Sequence, residues 1–164
     1  MDTDAPVVIG NDGSDFAEEA LRRGLWLARN VGAPAHVLRA WTISTAPVRK
    51  PGNRVRPPAE DFEAAVRERL EADVAGPLAD YPDVPVTLLT PHGAAGRELV
   101  KASEKARVIV VGTRGLGGFQ GLLMGSVSDQ VVEHALCDVL VVRSKGEQSP
   151  GRRLPLDRVL GTDG

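Results

Sequence analysis

The stretch Val108–Val142, VIVVGTRGLGGFQGLLMGSVSDQVVEHALCDVLVV, constrains the chain more than any other. It opens as an apolar strand, breaks into a glycine-rich loop at Gly112, restarts as a helix at Gly125 and Ser126, and closes as a second apolar strand. Glycines at 112, 115, 117, 118, 121 and 125 remove side chains where a loop must turn sharply or bring its backbone against a ligand. Ser126 followed by Asp129 resembles a capping box at the helix start. Free N–H groups there carry partial positive charge and suit a phosphate. A turn that binds nothing is the competing reading of the glycines alone.

Two well-known phosphate loops are excluded by spacing. The run Gly121-Leu122-Leu123-Met124-Gly125-Ser126 lacks both the spacing of G-x-x-x-x-G-K-[ST] and the lysine that would reach the phosphates. No G-x-G-x-x-G occurs with an acidic residue placed about 20 positions downstream. Phosphate binding, if this loop performs it, uses another pattern.

That pattern is Gly112-x-x-Gly115, then nine residues, then Gly125-Ser126. It resembles the nucleotide-binding motif of the universal stress protein family, in its ATP-binding branch. The flanking VIVVGTRG and GSVSDQVVEHALCDVLVVR are similar to that family, as are VVIGNDGSDFAEEAL near the N-terminus and the segment that Gly93 heads, GAAGRELVKASEKA. The resemblance covers roughly residues 5–143.

Composition agrees with one globular domain over residues 1–143, since 42% hydrophobic and 26% charged residues in 164 are ordinary for such a fold. A net charge of −2 and a pI near 5.9 argue against a general nucleic-acid or anionic-membrane surface. No apolar run approaches the ~20 residues of a membrane span. Met1-Asp2-Thr3-Asp4 is acidic where a signal peptide is basic, so the cytoplasm is the expected location. The single cysteine, Cys137, precedes an apolar strand and reads as a small buried hydrophobe rather than a reactive thiol.

The remaining chain reads as an α/β alternation. Residues 6–10 make an apolar strand, Asn11-Asp12-Gly13 a turn, and Ser14 a helix cap. Ala17, Ala20, Leu21, Gly24, Leu25 and Ala28 then recur at helical spacing through Asn30. A second strand at 35–41 follows the Gly32-Ala33-Pro34 stop, which requires a parallel crossover. Residues 42–58, with four prolines and arginines at 49, 54 and 56, read as a long loop. Pro57-Pro58 opens a helix along Phe62, Val66, Leu70, Val74 and Leu78. Strands at 84–89 and 107–111 flank a helix from Ala95 to about Lys105, and the last strand spans 139–143. The fold class is therefore α/β: a single open sheet of five parallel strands with helices on both faces. The resemblance implies the strand order 3-2-1-4-5, whose switch point between the first and fourth strands brings Asp12 and the Gly112 loop together.

Asp12 lies just past the end of the first strand, where ligands bind in open α/β sheets; aspartate is equally a favoured turn residue. The resemblance implies binding, for in the family this aspartate lies by the ribose and adenine. Asn11 departs from the family pattern, which is more often apolar there. By the same resemblance, adenine is expected near Ala40 and Val111 and the ribose near Asp12 and Gly112. The phosphates are expected on the backbone of Gly115, Gly125, Ser126 and Val127, with contacts from the Ser126 and Ser128 hydroxyls. Magnesium would be held mainly by the phosphates of ATP. His36, His92 and His134 have no metal-like spacing, and only His92, before Gly93, falls where it can face the ligand edge. No G-x-S-x-G or paired-carboxylate constellation marks a catalytic site, and Arg114 is the loop's lone charge.

The expected function is thus an adenine-nucleotide-binding regulatory module that holds ATP, AMP or cyclic AMP. A slow ATP hydrolase or phosphotransferase and a dimeric interaction module with an empty site are the alternatives. A homodimer is expected through Val139, Leu140, Val141 and Val142, an apolar edge that pairs with its twofold mate in the family. Residues 144–164 read as a linker or tail, in which RVLGTDG at 158–164 resembles VVIGNDG at 7–13, the opening of the same domain.

Overall fold

A computed structural model describes residues 4–45, 59–115 and 124–143, with only the backbone of 59–61. The five strands are β1 (Val7–Gly10), β2 (Ala35–Leu38), β3 (Val86–Leu89), β4 (Val108–Gly112) and β5 (Asp138–Val142). All pair in parallel, in the order β3-β2-β1-β4-β5. The helices are α1 (Asp15–Val31), α2 (Ala59–Ala79), α3 (Ala95–Ser103) and α4 (Ser126–His134). The expected fold class and strand order are therefore observed.

Each helix is placed by the face it must bury. On α1 the six residues at helical spacing, Ala17, Ala20, Leu21, Gly24, Leu25 and Ala28, are the buried ones. Ala20, Leu21, Leu25 and Ala28 join Leu70 and Val74 of α2 against Val7, Ile9, Val37 and Val110 on one face of the sheet. On the other face Leu99 of α3 and Val131 of α4 cover Val8, Leu38, Ile109 and Val111. Alternate strand residues thus feed two cores, as a sheet covered on both sides requires. Gly24 lets α1 lie directly on β1, because a Cβ there would stand 2.5 Å from Ile9 Cδ1.

The strand ends differ from expectation in one informative way. Strand β2 stops at Leu38, three residues short, although Arg39 N still donates to Leu89 O at 2.9 Å. The chain nevertheless stays beside β3, with Trp41 bridging to His92. Trp41 stacks on Phe62, with ring centroids 6.3 Å apart, and meets His92 in a tilted contact at 4.7 Å; its Nε1 donates to Thr90 O at 3.0 Å. His92 therefore lies at the C-terminal end of the sheet, beside the continuation of β2 rather than between β1 and β4. Strand β5 is an edge strand, with Leu140 39% exposed. Residues 46–58 of the expected long loop and the whole tail from 144 lie outside the described residues.

Candidate functional site at the C-terminal ends of β1 and β4

The first half of the site is the turn Asn11–Ser14. Asn11 Oδ1 accepts from Gly13 N at 3.1 Å, and Asp12 Oδ1 accepts from Ser14 N at 3.0 Å and Ser14 Oγ at 2.6 Å. Both are side-chain turns of the kind Asn and Asp make with the backbone two residues on. Gly13 takes φ 84°, a left-handed conformation that glycine adopts without strain. Ser14 is the N-cap of α1 and accepts from Ala17 N at 3.2 Å. Asp12 is thereby fixed at the end of β1 and remains exposed.

The second half is the neck of the glycine-rich loop. Gly112 passes so close to α1 that a Cβ would fall 2.8 Å from Phe16 O. Thr113, which is buried, donates its N–H to Val142 O at 2.9 Å and receives Gly125 N on its own carbonyl at 2.7 Å. Ser128 Oγ lies 3.1 Å from Thr113 O and 2.9 Å from Gly125 O, and its one proton is shared between them from a buried position. The loop's two ends are therefore closed on each other. Residues 116–123, which include Gly117, Gly118 and Gly121, lie outside the described residues.

This closure corrects the expected capping box. Gly125, with φ −82° and ψ 159°, is the N-cap of α4, no side chain caps it, and Ser126 is already helical. The reason is the bond from Gly125 N to Thr113 O, which fixes Gly125 as the last extended residue, so helix begins one position before a Ser126 cap would allow. The consequence favours an external acceptor. The first N–H groups of a helix, here those of Ser126, Val127 and Ser128, have no intrahelical carbonyl to bind. Ser126 and Val127 are exposed, whereas the Ser128 hydroxyl braces the loop neck.

The halves meet. A Cβ built on Gly115 would stand 2.3 Å from Asp12 Oδ2, so the loop after β4 comes directly against the β1 turn at a residue without a side chain. Ala40 and Val111 pack in the core on the α3–α4 face, Val111 buried and Ala40 half-buried at the end of β2. Among the described residues no group of three His, Cys, Asp or Glu side chains is arranged to hold a metal ion.

One part of the site was not anticipated from the sequence. Arg39, buried at the end of β2, directs Nη1 to Asp73 Oδ2 at 2.8 Å, Nη2 to Asn11 Oδ1, and Nε to Asn11 O at 3.4 Å. The signal was present as two polar residues, Asn11 and Arg39, each following an apolar strand. Extending the β1–β2 register, in which Gly10 pairs with Leu38, sets them side by side.

A family model described as the universal stress protein family matches residues 5–143. The chain belongs to that family. Among curated members of the universal stress protein family, Universal stress protein Rv2005c of Mycobacterium tuberculosis is 36% identical over 139 residues. The alignment covers 85% of this chain and 45% of that protein, so the chain spans about half the length of the curated relative. Universal stress protein UspA from Lactobacillus plantarum superposes with a TM-score of 0.67 at 20% identity, over 85% of this chain and 97% of that one. A universal stress protein solved in complex with cAMP is 26% identical, with a TM-score of 0.58, over 85% of this chain and 96% of that one. No helix of the described residues is long and apolar enough to cross a membrane.

Proposed function

We propose that this universal stress protein is an adenine-nucleotide-binding regulatory module of the family's ATP-binding branch. The observation that carries the reading is the approach of Gly115 to Asp12 Oδ2, which joins a carboxylate suited to ribose hydroxyls to the neck of a glycine-rich loop. The uncapped start of α4 supports it, because N–H groups at Ser126 and Val127 offer an anion site directly after the loop. The relative that binds cAMP adds support from a protein of the same fold.

In this reading the phosphates lie along Gly115, Gly125, Ser126 and Val127, the ribose against Asp12 and Gly112, and adenine by Ala40 and Val111. Ser128 acts by holding the neck. ATP brings magnesium with it, coordinated mainly by its own phosphates. A regulatory ligand is favoured over rapid turnover, since phosphoryl transfer needs cations and a group to position the nucleophile. The chain pairs with a second copy through the exposed β5 edge, Val139 to Val142.

Equilibrium dialysis against ATP, AMP and cyclic AMP tests the reading. Saturable binding of at least one of the three is expected; retention of none at high micromolar concentration overturns it.

A further inference from the structure

We infer that Arg39 is the positioning residue for Asp12, an assignment that rests on the nucleotide-binding reading above. The Arg39 side chain is 10% exposed and divides its donors among three acceptors. Nη1 meets Asp73 Oδ2 at 2.8 Å, Nη2 meets Asn11 Oδ1, and Nε meets the Asn11 carbonyl at 3.4 Å. Two of these acceptors belong to the residue that precedes Asp12. Asn11 Oδ1 simultaneously receives Gly13 N at 3.1 Å, from the residue that follows it. Asp12 thus lies between Asn11, bonded to the guanidinium, and Gly13, bonded to Asn11 Oδ1.

The guanidinium also crowds the turn at Gly13. A Cβ built there would stand 3.3 Å from Arg39 Nη2 and 3.1 Å from Asp73 Oδ2. The Asp12 carboxylate has little freedom of its own, because Oδ1 is engaged by Ser14 N and Oγ. Where Oδ2 falls relative to the Gly115 loop therefore follows from where the turn sits, and Arg39 sets that. Asp73, which also pairs with Arg69 at 3.2 Å, anchors the arrangement on α2. An apolar residue at position 11 would leave Arg39 with Asp73 but without the Oδ1 acceptor in the turn, so Asn11 and Arg39 act as a pair.

A plain ion pair is the competing account, in which Arg39 only neutralises Asp73. The two differ over lysine. A single ammonium balances Asp73 but lacks the planar fork that reaches a carboxylate, an amide oxygen and a carbonyl together.

The test measures ATP affinity by calorimetry, thermal stability, and backbone order parameters of Asp12 and Gly13. It uses Arg39→Lys in the wild-type and Asp12→Ala backgrounds. Positioning predicts that Arg39→Lys weakens ATP binding roughly tenfold, the scale of a hydrogen bond to a charged group. The order parameters of Asp12 and Gly13 fall below about 0.6 while the sheet stays rigid. With Asp12 replaced by Ala, the same change alters affinity less than about twofold, because Arg39 acts through Asp12. Wild-type affinity with an unchanged turn, or an equal loss in both backgrounds, overturns the assignment. If Arg39→Lys does not fold, Asp73→Asn carries the same readouts, with the same outcomes for and against. Should the wild type bind no adenine nucleotide, the functional reading fails. Turn order then decides the hold of Arg39 on Asp12: a loosened turn upholds it and a rigid one overturns it.

Discussion

The Ser128 hydroxyl lies 3.1 Å from the Thr113 carbonyl, a bond from the first turn of α4 to the residue that begins the glycine-rich loop. Thr113 in turn holds Val142 O through its own N–H at 2.9 Å. One buried hydroxyl therefore connects the helix that offers its N-terminus, the loop and the edge strand.

Replacing Ser128 by Ala removes a buried hydroxyl while leaving Gly125 N on Thr113 O. Thermal or urea unfolding is expected to show a loss of about 1 kcal/mol. Nucleotide affinity is expected to fall as well, since the loop neck loosens. An unchanged melting curve contradicts the bracing role.

Glycines 112 and 96 are both tightly enclosed but predict different outcomes. A Cβ at Gly112 meets the backbone of Phe16, its O at 2.8 Å and its C at 3.0 Å, which cannot move without shifting α1. Gly112→Ala is expected to destabilise by about 1–3 kcal/mol. A Cβ at Gly96 meets the end of the Gln130 side chain, Oε1 at 1.9 Å, which can swing aside. Gly96→Ala is expected to stay within about 0.5 kcal/mol of wild type. Denaturant melts of the two variants check the contrast.

Cys137 is half-buried against the α3–α4 core, and that burial pushes its thiol pKa up from the ordinary value. Its Sγ donates to Asp138 O at 3.4 Å. The neutral thiol is favoured in the folded state, so alkylation by iodoacetamide in mildly alkaline buffer should run slower than in the unfolded chain. The sign for stability follows: a pKa raised by folding gives a contribution present below the unfolded thiol pKa and lost as pH rises through the folded one. Alkylation at equal rates in native and denatured protein contradicts this.

Much of the fold was legible because its signals are local. Helix α1 announces itself through Ser14, six apolar positions at helical spacing and Gly32, which caps it in the left-handed conformation. Elements governed by distant contacts were not. The start of α4 depends on a bond from Gly125 to Thr113 across the loop, so the local Ser126–Asp129 pattern pointed one residue too far. Arg39 shows the same limit. Its meaning lies in three acceptors, two on Asn11 just past β1 and one on α2, which no window along the sequence contains.

The β5 edge carries a prediction about assembly. Its exposed Leu140 and its place at the edge of the sheet of described residues lead us to expect a dimer in sedimentation at tens of micromolar, and Leu140→Lys is expected to shift it to monomer. A monomeric wild type at that concentration contradicts the assembly.

The most direct test of nucleotide binding is a calorimetric titration of ATP and cyclic AMP into the wild type and Gly115→Val. The valine places its Cβ on Asp12 Oδ2, outside both hydrophobic cores. The account predicts saturable binding of at least one nucleotide by the wild type, with affinity at least about tenfold weaker in the variant and similar melting temperatures. Equal affinities in the two proteins, or no binding heat from the wild type at high micromolar nucleotide, would contradict it.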